Sequence, residues 1–448
     1  MSGLVLAGDV VLLYIFWEIV GICSALLISY WWEKPEARRA GLKAFAVTRV
    51  GDFGMLFGIA LIILHLHNTN IQYILESGLS GQLAFIVGLL LFIGAVGKSA
   101  QFPLYVWLPD AMEGPTSVSA LIHAATMVKA GVYLISRFYP LISGAPGLLE
   151  IISWTAIITI IISGFSALAA NDIKKVLAYS TINHLAIMFV ALGLGGWIYA
   201  QLHLLSHSLF KALLFLCAGL IVHEVGTRSL DGISGLWNAG LKITTIAFLV
   251  GSLSLAGIPP FPGFVTKEHI LGLIEEHLPH SISYPLAFTI SFVSAMYIFR
   301  LFFKIALGKS EKKLHEKDPF MLTPIILLAI ATAIGIVFLT PTASLFEYEI
   351  ELFEASIVPI VGTISGLALA WIFWGAGYGK RVRETLHPLA DLAERGFLLD
   401  DVYTGIARFV TSNVSRIVVK IQTGIPSVNV LWIILFLLIL ALVSLEVI

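Results

Sequence analysis

Residues 83–110 read LAFIVGLLLFIGAVGKSAQFPLYVWLPD. The first fifteen are apolar or small, and then Lys98 and Pro103 arrive within six residues of each other. Such a run suits the hydrocarbon of a bilayer, where a helix needs about 20 apolar residues. Proline removes a backbone donor and breaks the helical ladder. Broken backbone at membrane depth survives only where protein or a wet cavity surrounds it. A second stretch, SLAGIPPFPGFVTKEHI at 254–270, repeats the arrangement, with Pro259, Pro260 and Pro262 just before Lys267. Two broken helices, each with a nearby lysine, suggest the repeated halves of secondary transporters. Two ordinary proline kinks are the plainer alternative.

The rest of the chain agrees with a membrane setting. Of 448 residues, 27 are Lys or Arg and 28 Asp or Glu, a net charge of −1. Charged residues make up 12%, against about 25% in soluble domains. With 58% hydrophobic residues and a mean hydropathy of +0.94, a soluble fold would expose aggregating surface. Near-zero charge without a basic run argues against nucleic acid as partner. Cys23 and Cys217 both lie in apolar stretches, which excludes a disulfide scaffold, a zinc ribbon and a thiolate-held iron–sulfur cluster.

Apolar runs predict an all-α polytopic membrane protein of about twelve transmembrane helices. The spans are 10–31, 40–66, 83–108, 117–138, 147–170, 173–194, 196–224, 240–277, 283–306, 320–345, 355–376 and 428–447. A β-barrel would show short alternating segments instead. No cleavable signal peptide is evident, because the first apolar run continues as a full span containing Glu18. Basic residues alternate by side: Lys34, Arg38, Arg39 and Lys43, then Lys174 and Lys175, Arg228 and Lys242, Lys309, Lys312, Lys313 and Lys317, and Lys380, Arg381 and Arg383. With these spans they share one side, which the positive-inside rule makes cytoplasmic. Glu347, Glu349, Glu351 and Glu354 fall opposite, and Arg137 is the exception. Residues 379–427 turn polar and amphipathic, a helix along the membrane surface or against a partner after residue 402.

Charged side chains inside these spans are costly, about 2.5–3.5 kcal/mol each on insertion scales. Glu18, Lys98, Lys211 and Lys267 sit at no obvious span end. Arg49 and Asp52, three apart, can pair on one helix face, a structural pairing because arginine holds its proton. His123 and Lys129 share one span. His203, His207 and Lys211 are spaced i, i+4, i+8, one stripe with steps of about 6 Å. That spacing suits a proton relay, since imidazole accepts on one nitrogen and donates from the other. A carboxylate such as Glu18 close to Lys98 would hold the lysine charged, and its withdrawal would release the proton. His203 and His207 also fit metal ligation, although no Asp, Glu or Cys adjoins them in QLHLLSHSLFKALLFL. A haem between His123 and His203 is a further alternative. His184 and His223 read as satisfied interior or interfacial residues, and Lys174 and Lys175 as markers of the inner face.

At VTRVGD, GAVGKSAQFPLYVWLPDAMEGPTSVSALIHAATMVKAGVYL, NDIKKVLAYSTINHLAIM and HLLSHSLFKALLFLCAG, the chain resembles one family. This is the antiporter-like subunit of respiratory complex I (NADH-quinone oxidoreductase), specifically its distal L-type member. The large subunit of Mrp sodium/proton antiporters and equivalents in archaeal hydrogenases and deazaflavin- or ferredoxin-linked dehydrogenases belong to the same family. The resemblance covers about residues 4–405. It implies a proton-translocating subunit with inverted half-channels, each with a broken helix. Residues 1–138 would form the first half-channel repeat, short of its N-terminal helices, and 139–306 the second. Additional transmembrane helices would fill 307–378, a lateral segment 379–427 and the C-terminal helix 428–448.

By motif, Glu18 and Lys98 match the family's glutamate–lysine pair, and Asp52 an acidic partner near it. His123 matches a histidine on the next helix. His203, His207 and Lys211 match the central hydrophilic axis, and Lys267 the lysine at the second half-channel's exit. The resemblance implies no cofactor or metal in this chain, electron transfer in partner membrane and redox subunits, and protons or sodium as the coupled ion. It places the protein in a prokaryotic cytoplasmic membrane, an organellar inner membrane being the alternative.

The chain departs from the family in two ways. Members carry several helices before the position matching residue 1, so a fragment, a split subunit or a truncated start is expected. As helix, residues 402–427 reach about 39 Å, enough to clasp one neighbour, which suggests a smaller archaeal or early-branching complex. A stand-alone antiporter and a structural membrane arm without transport are the competing functions.

Overall fold

The computed structural model of the chain describes residues 1–310, 313–352, 356–378, 385, 387–421, 430–432, 434–435 and 437–438. The expected last span, 428–447, lies largely outside the described residues. So do Lys312, Lys380, Arg381, Arg383 and Glu354 of the charge pattern. The chain divides into two units, Met1–Phe397 and Leu398–Ile448.

In the first unit, the apolar runs become helices α1 (Val10–Ile28), α2 (Pro35–Leu66), α3 (Gly81–Lys98), α4 (Thr116–Arg137), α5 (Leu148–Ala169), α6 (Ile173–Gly193) and α7 (Trp197–Val225). The proline-rich run is split into α8 (Lys242–Ala256) and α9 (Pro262–His277). Then follow α10 (His280–Ala306), α11 (Pro319–Ser344) and α12 (Ile357–Gly375). Ten of these twelve are long and apolar enough to cross a membrane, and α8 and α9 together occupy the span read from sequence at 240–277. A short helix, α13 (His387–Glu394), packs on α5.

Helix α6 occupies the middle, with every residue except Lys175 buried. It touches α4, α5, α7, α9 and α10, so its polar residues can only meet other helices. By contrast α1, α11 and α12 leave most of their surface exposed, as helices facing lipid tails do. Small residues set the closest approach. A side chain at Gly51 of α2 would lie 2.8 Å from the Ile93 carbonyl, and one at Gly97 would lie 3.3 Å from Gly51. Without hydrophobic attraction between helices in lipid, this backbone contact is what holds a pair together. It brings Asp52 beside Lys98.

Two pairs of junctions recur. Asp9 caps α1 by accepting from the Val11 and Leu12 N–H groups, and Asp172 caps α6 by accepting from Lys174 and Lys175. Beside each cap an isolated bridge forms: Val10 N–H to Thr69 and Ile71 N–H to Gly8, then Ile173 N–H to Arg228 and Leu230 N–H to Asn171. The helix ends ahead of the prolines also match. After α3, Ala100 is left-handed (φ 49°) and Gln101 N–H bonds to the Val96 carbonyl at 3.0 Å. After α8, Gly257 is left-handed (φ 78°) and Ile258 N–H bonds to the Leu253 carbonyl at 3.1 Å. Both ends carry the 6→1 bond of a Schellman motif, which satisfies a carbonyl that lipid could not. The two breaks thus share one local backbone geometry.

Helix α4 is interrupted as well, which sequence reasoning did not anticipate. Residues Leu121–Ala125 form a π-helical turn, Thr126 leaves the helix (φ −134°, ψ −106°), and Met127–Lys129 wind as 3₁₀. No proline marks this break. π-Turns of this kind concentrate at functional sites.

The second unit contains helix α14 (Leu399–Ile421). Val402, Ile406, Val410 and Val414 repeat every four residues along one side, with Asp401, Arg408, Ser412 and Ser415 on the other. This is the amphipathic helix expected after residue 402.

Candidate functional site

Buried ionisable side chains run through the bundle from α1–α3 to α9. At the first end, Lys98 Nζ lies 2.9 Å from Asp52 Oδ2, and both side chains are 1% exposed. Trp17 Nε1 donates to Asp52 Oδ1 at 2.6 Å. The ammonium also lies 5.8 Å from the Trp17 ring. Gly21 leaves the space that Lys98 occupies, since a Cβ there would collide with the ammonium.

The pairing differs from the one expected. Lys98 meets Asp52, and Glu18 meets Arg49. The Arg49–Asp52 pair proposed from their spacing does not form a salt bridge among the described residues. Arg49 is 25% exposed and Glu18 15%, so their pair sits at the edge of the bundle. Both remain within electrostatic range of Lys98. Four charges, two of each sign, therefore share one cluster.

In the middle, His123 sits on the π-turn of α4, fully buried, with its ring 4.7 Å from that of Phe215 on α7. Neither of its nitrogens has a protein partner among the described residues. Lys129, six residues on, donates to the Leu204 carbonyl at 3.0 Å and to the Ser208 hydroxyl, both on α7. Sequence reasoning noted Lys129 without assigning it. Its signal was a lysine in the middle of an apolar span, 3% exposed once folded.

The stripe on α7 is present as its spacing predicted. His203, His207 and Lys211 are all fully buried, and the two histidine rings are 6.5 Å apart. Lys211 donates to the Leu177 carbonyl at 3.2 Å and to the Ser180 hydroxyl, both on α6. His203 Nδ1 lies 2.8 Å from Thr266 Oγ1 on α9. Its Nε2 lies 3.0 Å from Nδ1 of His184 on α6. His184 is thus no bystander; it is stacked on His203 with ring centroids 5.3 Å apart. Neither nitrogen of His207 has a protein partner among the described residues.

At the far end, Lys267 on α9 donates to the Ala256 carbonyl at 3.0 Å and to Ser294 Oγ at 2.7 Å. The carbonyl is free because the helix breaks there. Glu268 follows, 3% exposed, with Oε2 lacking a protein partner among the described residues.

Lys174, read from sequence as a marker of the inner face, is 2% exposed. It donates to the Met112 and Gly114 carbonyls at 2.7 Å each. Arg228 adds a bond to Met112 O at 3.0 Å and pairs with Glu113 and Asp172. These two cations hold the segment after the first broken helix onto the second cap. Among the described residues no group of three or more His, Cys, Asp or Glu could hold a metal ion.

Residues 7–293 match the transmembrane family described as NADH:quinone oxidoreductase/Mrp antiporter. The chain belongs to that family. It is 42% identical over 336 residues to NAD(P)H-quinone oxidoreductase chain 5 of a Picosynechococcus species, covering 71% of this chain and 50% of the relative. It is 39% identical over 420 residues to F(420)H(2) dehydrogenase subunit L of Methanosarcina mazei, covering 84% of this chain and 62% of that one. The fold is similar to a chain in the Mrp complex of a Dietzia species, with a TM-score of 0.81, 28% identity, and coverage of 100% of this chain and 50% of the other. The chain spans about half the length of the first of these relatives.

Proposed function

We propose that this chain is a proton-translocating, antiporter-like subunit of a complex I-like membrane redox complex, driven by electron transfer in partner subunits. The observation that carries the reading is the run of buried groups itself: Asp52–Lys98, then His123 and Lys129, then Lys211 and His207, then His203 and Lys267. Each would be expensive in lipid, and only a shared task accounts for so many in one line. Residues 1–138 and 139–306 serve as two half-channel repeats, with 307–378 as additional helices and 379–427 as the lateral segment.

The chemistry follows from the pairs. Lysine can give up its proton when a counter-charge leaves, whereas arginine cannot. Asp52 holds Lys98 charged. If Arg49 moves from Glu18 toward Asp52, the aspartate is neutralised and Lys98 releases its proton inward. Glu18, Asp52 and Lys98 thus act as a loading group. His123, His203 and His207 carry the proton through bridging water, since imidazole both accepts and donates. Lys211 stores it midway, and Lys267 delivers it at the second broken helix. The partners are other membrane and redox subunits, and the setting is the cytoplasmic membrane of a prokaryote.

Lys98→Ala in the complete complex should lower protons moved per electron and leave the cofactors of partner subunits intact. Undiminished pumping would sink the role. The fold similarity to the Mrp complex favours a second reading, sodium/proton exchange without electron transfer. That reading predicts sodium-dependent proton movement in vesicles given no electron donor.

A further inference from the structure

We infer that His184 is a proton-carrying member of the axis and hands its proton directly to His203, an inference that rests on the proposed pumping function. The contact is the one direct imidazole–imidazole hydrogen bond among the described residues, at 3.0 Å. It joins α6 to α7, which Lys211 also links through Ser180 and the Leu177 carbonyl.

One proton arrangement satisfies every bond around the pair. Thr266 has a single hydroxyl hydrogen, and Oγ1 donates it to the Pro262 carbonyl at 3.1 Å. The oxygen therefore accepts at 2.8 Å from His203 Nδ1–H. A neutral imidazole protonated on Nδ1 has a bare Nε2. That nitrogen accepts from His184 Nδ1–H. His184 in turn is left with a bare Nε2, buried and without a protein partner among the described residues. The pair is polarised, with an empty basic nitrogen at one end and a committed donor at the other.

Position gives that polarity a direction. Ser180 and His184 are one turn apart on α6, and Ser180 holds the Lys211 ammonium. His184 therefore lies beside the lysine that stores the proton. His203 lies beside the segment that begins α9, where Thr266 immediately precedes Lys267. A proton arriving on His184 Nε2 makes an imidazolium. Its Nδ1 proton then crosses to His203 Nε2, so that one N–H bond breaks and one forms. His184 becomes neutral, and His203 holds the charge with Nδ1–H still bonded to Thr266. No other reactant is needed.

The groups facing the pair are His207, Lys129, Lys211 and Lys267. All are bases, and none is a carboxylate. An imidazolium forms there most readily once the neighbouring lysine has lost its own charge, which ties the transfer to discharge of Lys211.

A structural anchor and a relay make different demands. Asparagine places its amide nitrogen near the position of Nδ1, so His184→Asn keeps the donor to His203 and lacks the second nitrogen. The complete complex is placed in liposomes, energised by its electron donor, and read with an entrapped pH dye. Assembly is checked by copurification of the partner subunits. H184N should slow proton movement about ten-fold or more, as should Lys267→Met assayed in parallel. Normal pumping in H184N with loss in K267M would overturn the relay and leave the pump intact. Normal pumping in both would overturn the relay and the pumping function together. His184→Gln, which also retains an amide donor, gives the same comparison if H184N fails to assemble.

Discussion

The Lys98 ammonium and the Asp52 carboxylate face each other at 2.9 Å in a site where neither side chain is more than 1% exposed. A buried pair of this kind gains its Coulombic attraction only by giving up hydration, and the two terms nearly cancel. It contributes little net stability, yet removing one partner strands a charge. The arrangement is therefore poised: small movements of the neighbouring Glu18–Arg49 pair change the state of Lys98 more than they change the fold. Trp17 anchors one side of the pair, because its N–H bond to Asp52 Oδ1 fixes the carboxylate.

Replacing Asp52 with asparagine leaves a lysine buried beside a neutral amide. Breaking a buried pair costs about 3–5 kcal/mol when the remaining charge is retained. Lys98 escapes part of that penalty by losing its proton. Thermal unfolding of the detergent-solubilised complex should show Asp52→Asn and Lys98→Met each destabilised, and the double variant less so than the sum. Additive losses would mean that the two side chains do not interact in the folded protein. Pumping should be lost in all three.

Lys129 separates charge from proton exchange. Lys129→Arg keeps a cation able to bond the Leu204 carbonyl and Ser208 but holds its proton at any accessible pH. Lys129→Met removes both. If Lys129 carries protons between the two halves, both variants stop translocation measured by dye quenching in vesicles. If it only braces α4 against α7, the arginine variant pumps normally.

Much of this was legible in the sequence, and the missing parts share a cause. Spans follow from apolar runs, and the His203–His207–Lys211 stripe follows from the helical repeat along one element. The partner of Lys98 depends on how α1, α2 and α3 are rotated against one another, which the repeat within α2 does not state. Arg49 and Asp52 are three apart, yet the close glycine contacts at Gly51 and Gly97 turn Asp52 toward α3. His184 was passed over because it has no titratable neighbour at helical spacing toward the middle of α6; its partner comes from another helix. The break in α4 has no proline or glycine to announce it.

The left-handed residue after α8 should be intolerant of a side chain. Gly257 has φ 78°, a conformation that costs a non-glycine residue about 1–2 kcal/mol. A Cβ there would also lie 3.1 Å from Lys267 Cδ. Gly257→Ala should lower thermal stability by about that amount and slow pumping by displacing the lysine from Ala256 and Ser294. Retained stability and pumping would show that the break after α8 does not position Lys267.

The two caps give a matched comparison. Asp9 caps α1 and bonds Thr69 in the adjoining bridge, so Asp9→Ala should cost about 0.5–2 kcal/mol, the usual loss of an N-cap. Asp172 caps α6 and also lies 3.3 Å from Arg228 Nε. Arg228 in turn binds Met112 O and Glu113 in the segment after the first broken helix. Asp172→Ala should therefore destabilise more than Asp9→Ala and loosen a region far along the chain. Hydrogen exchange on the complex would show it as faster exchange across residues 107–114 in the Asp172 variant alone. Equal effects from the two variants would reduce the Asp172–Arg228 contact to a surface pairing, worth about 0–1 kcal/mol, and leave Lys174 as the cation that joins the first broken helix to α6.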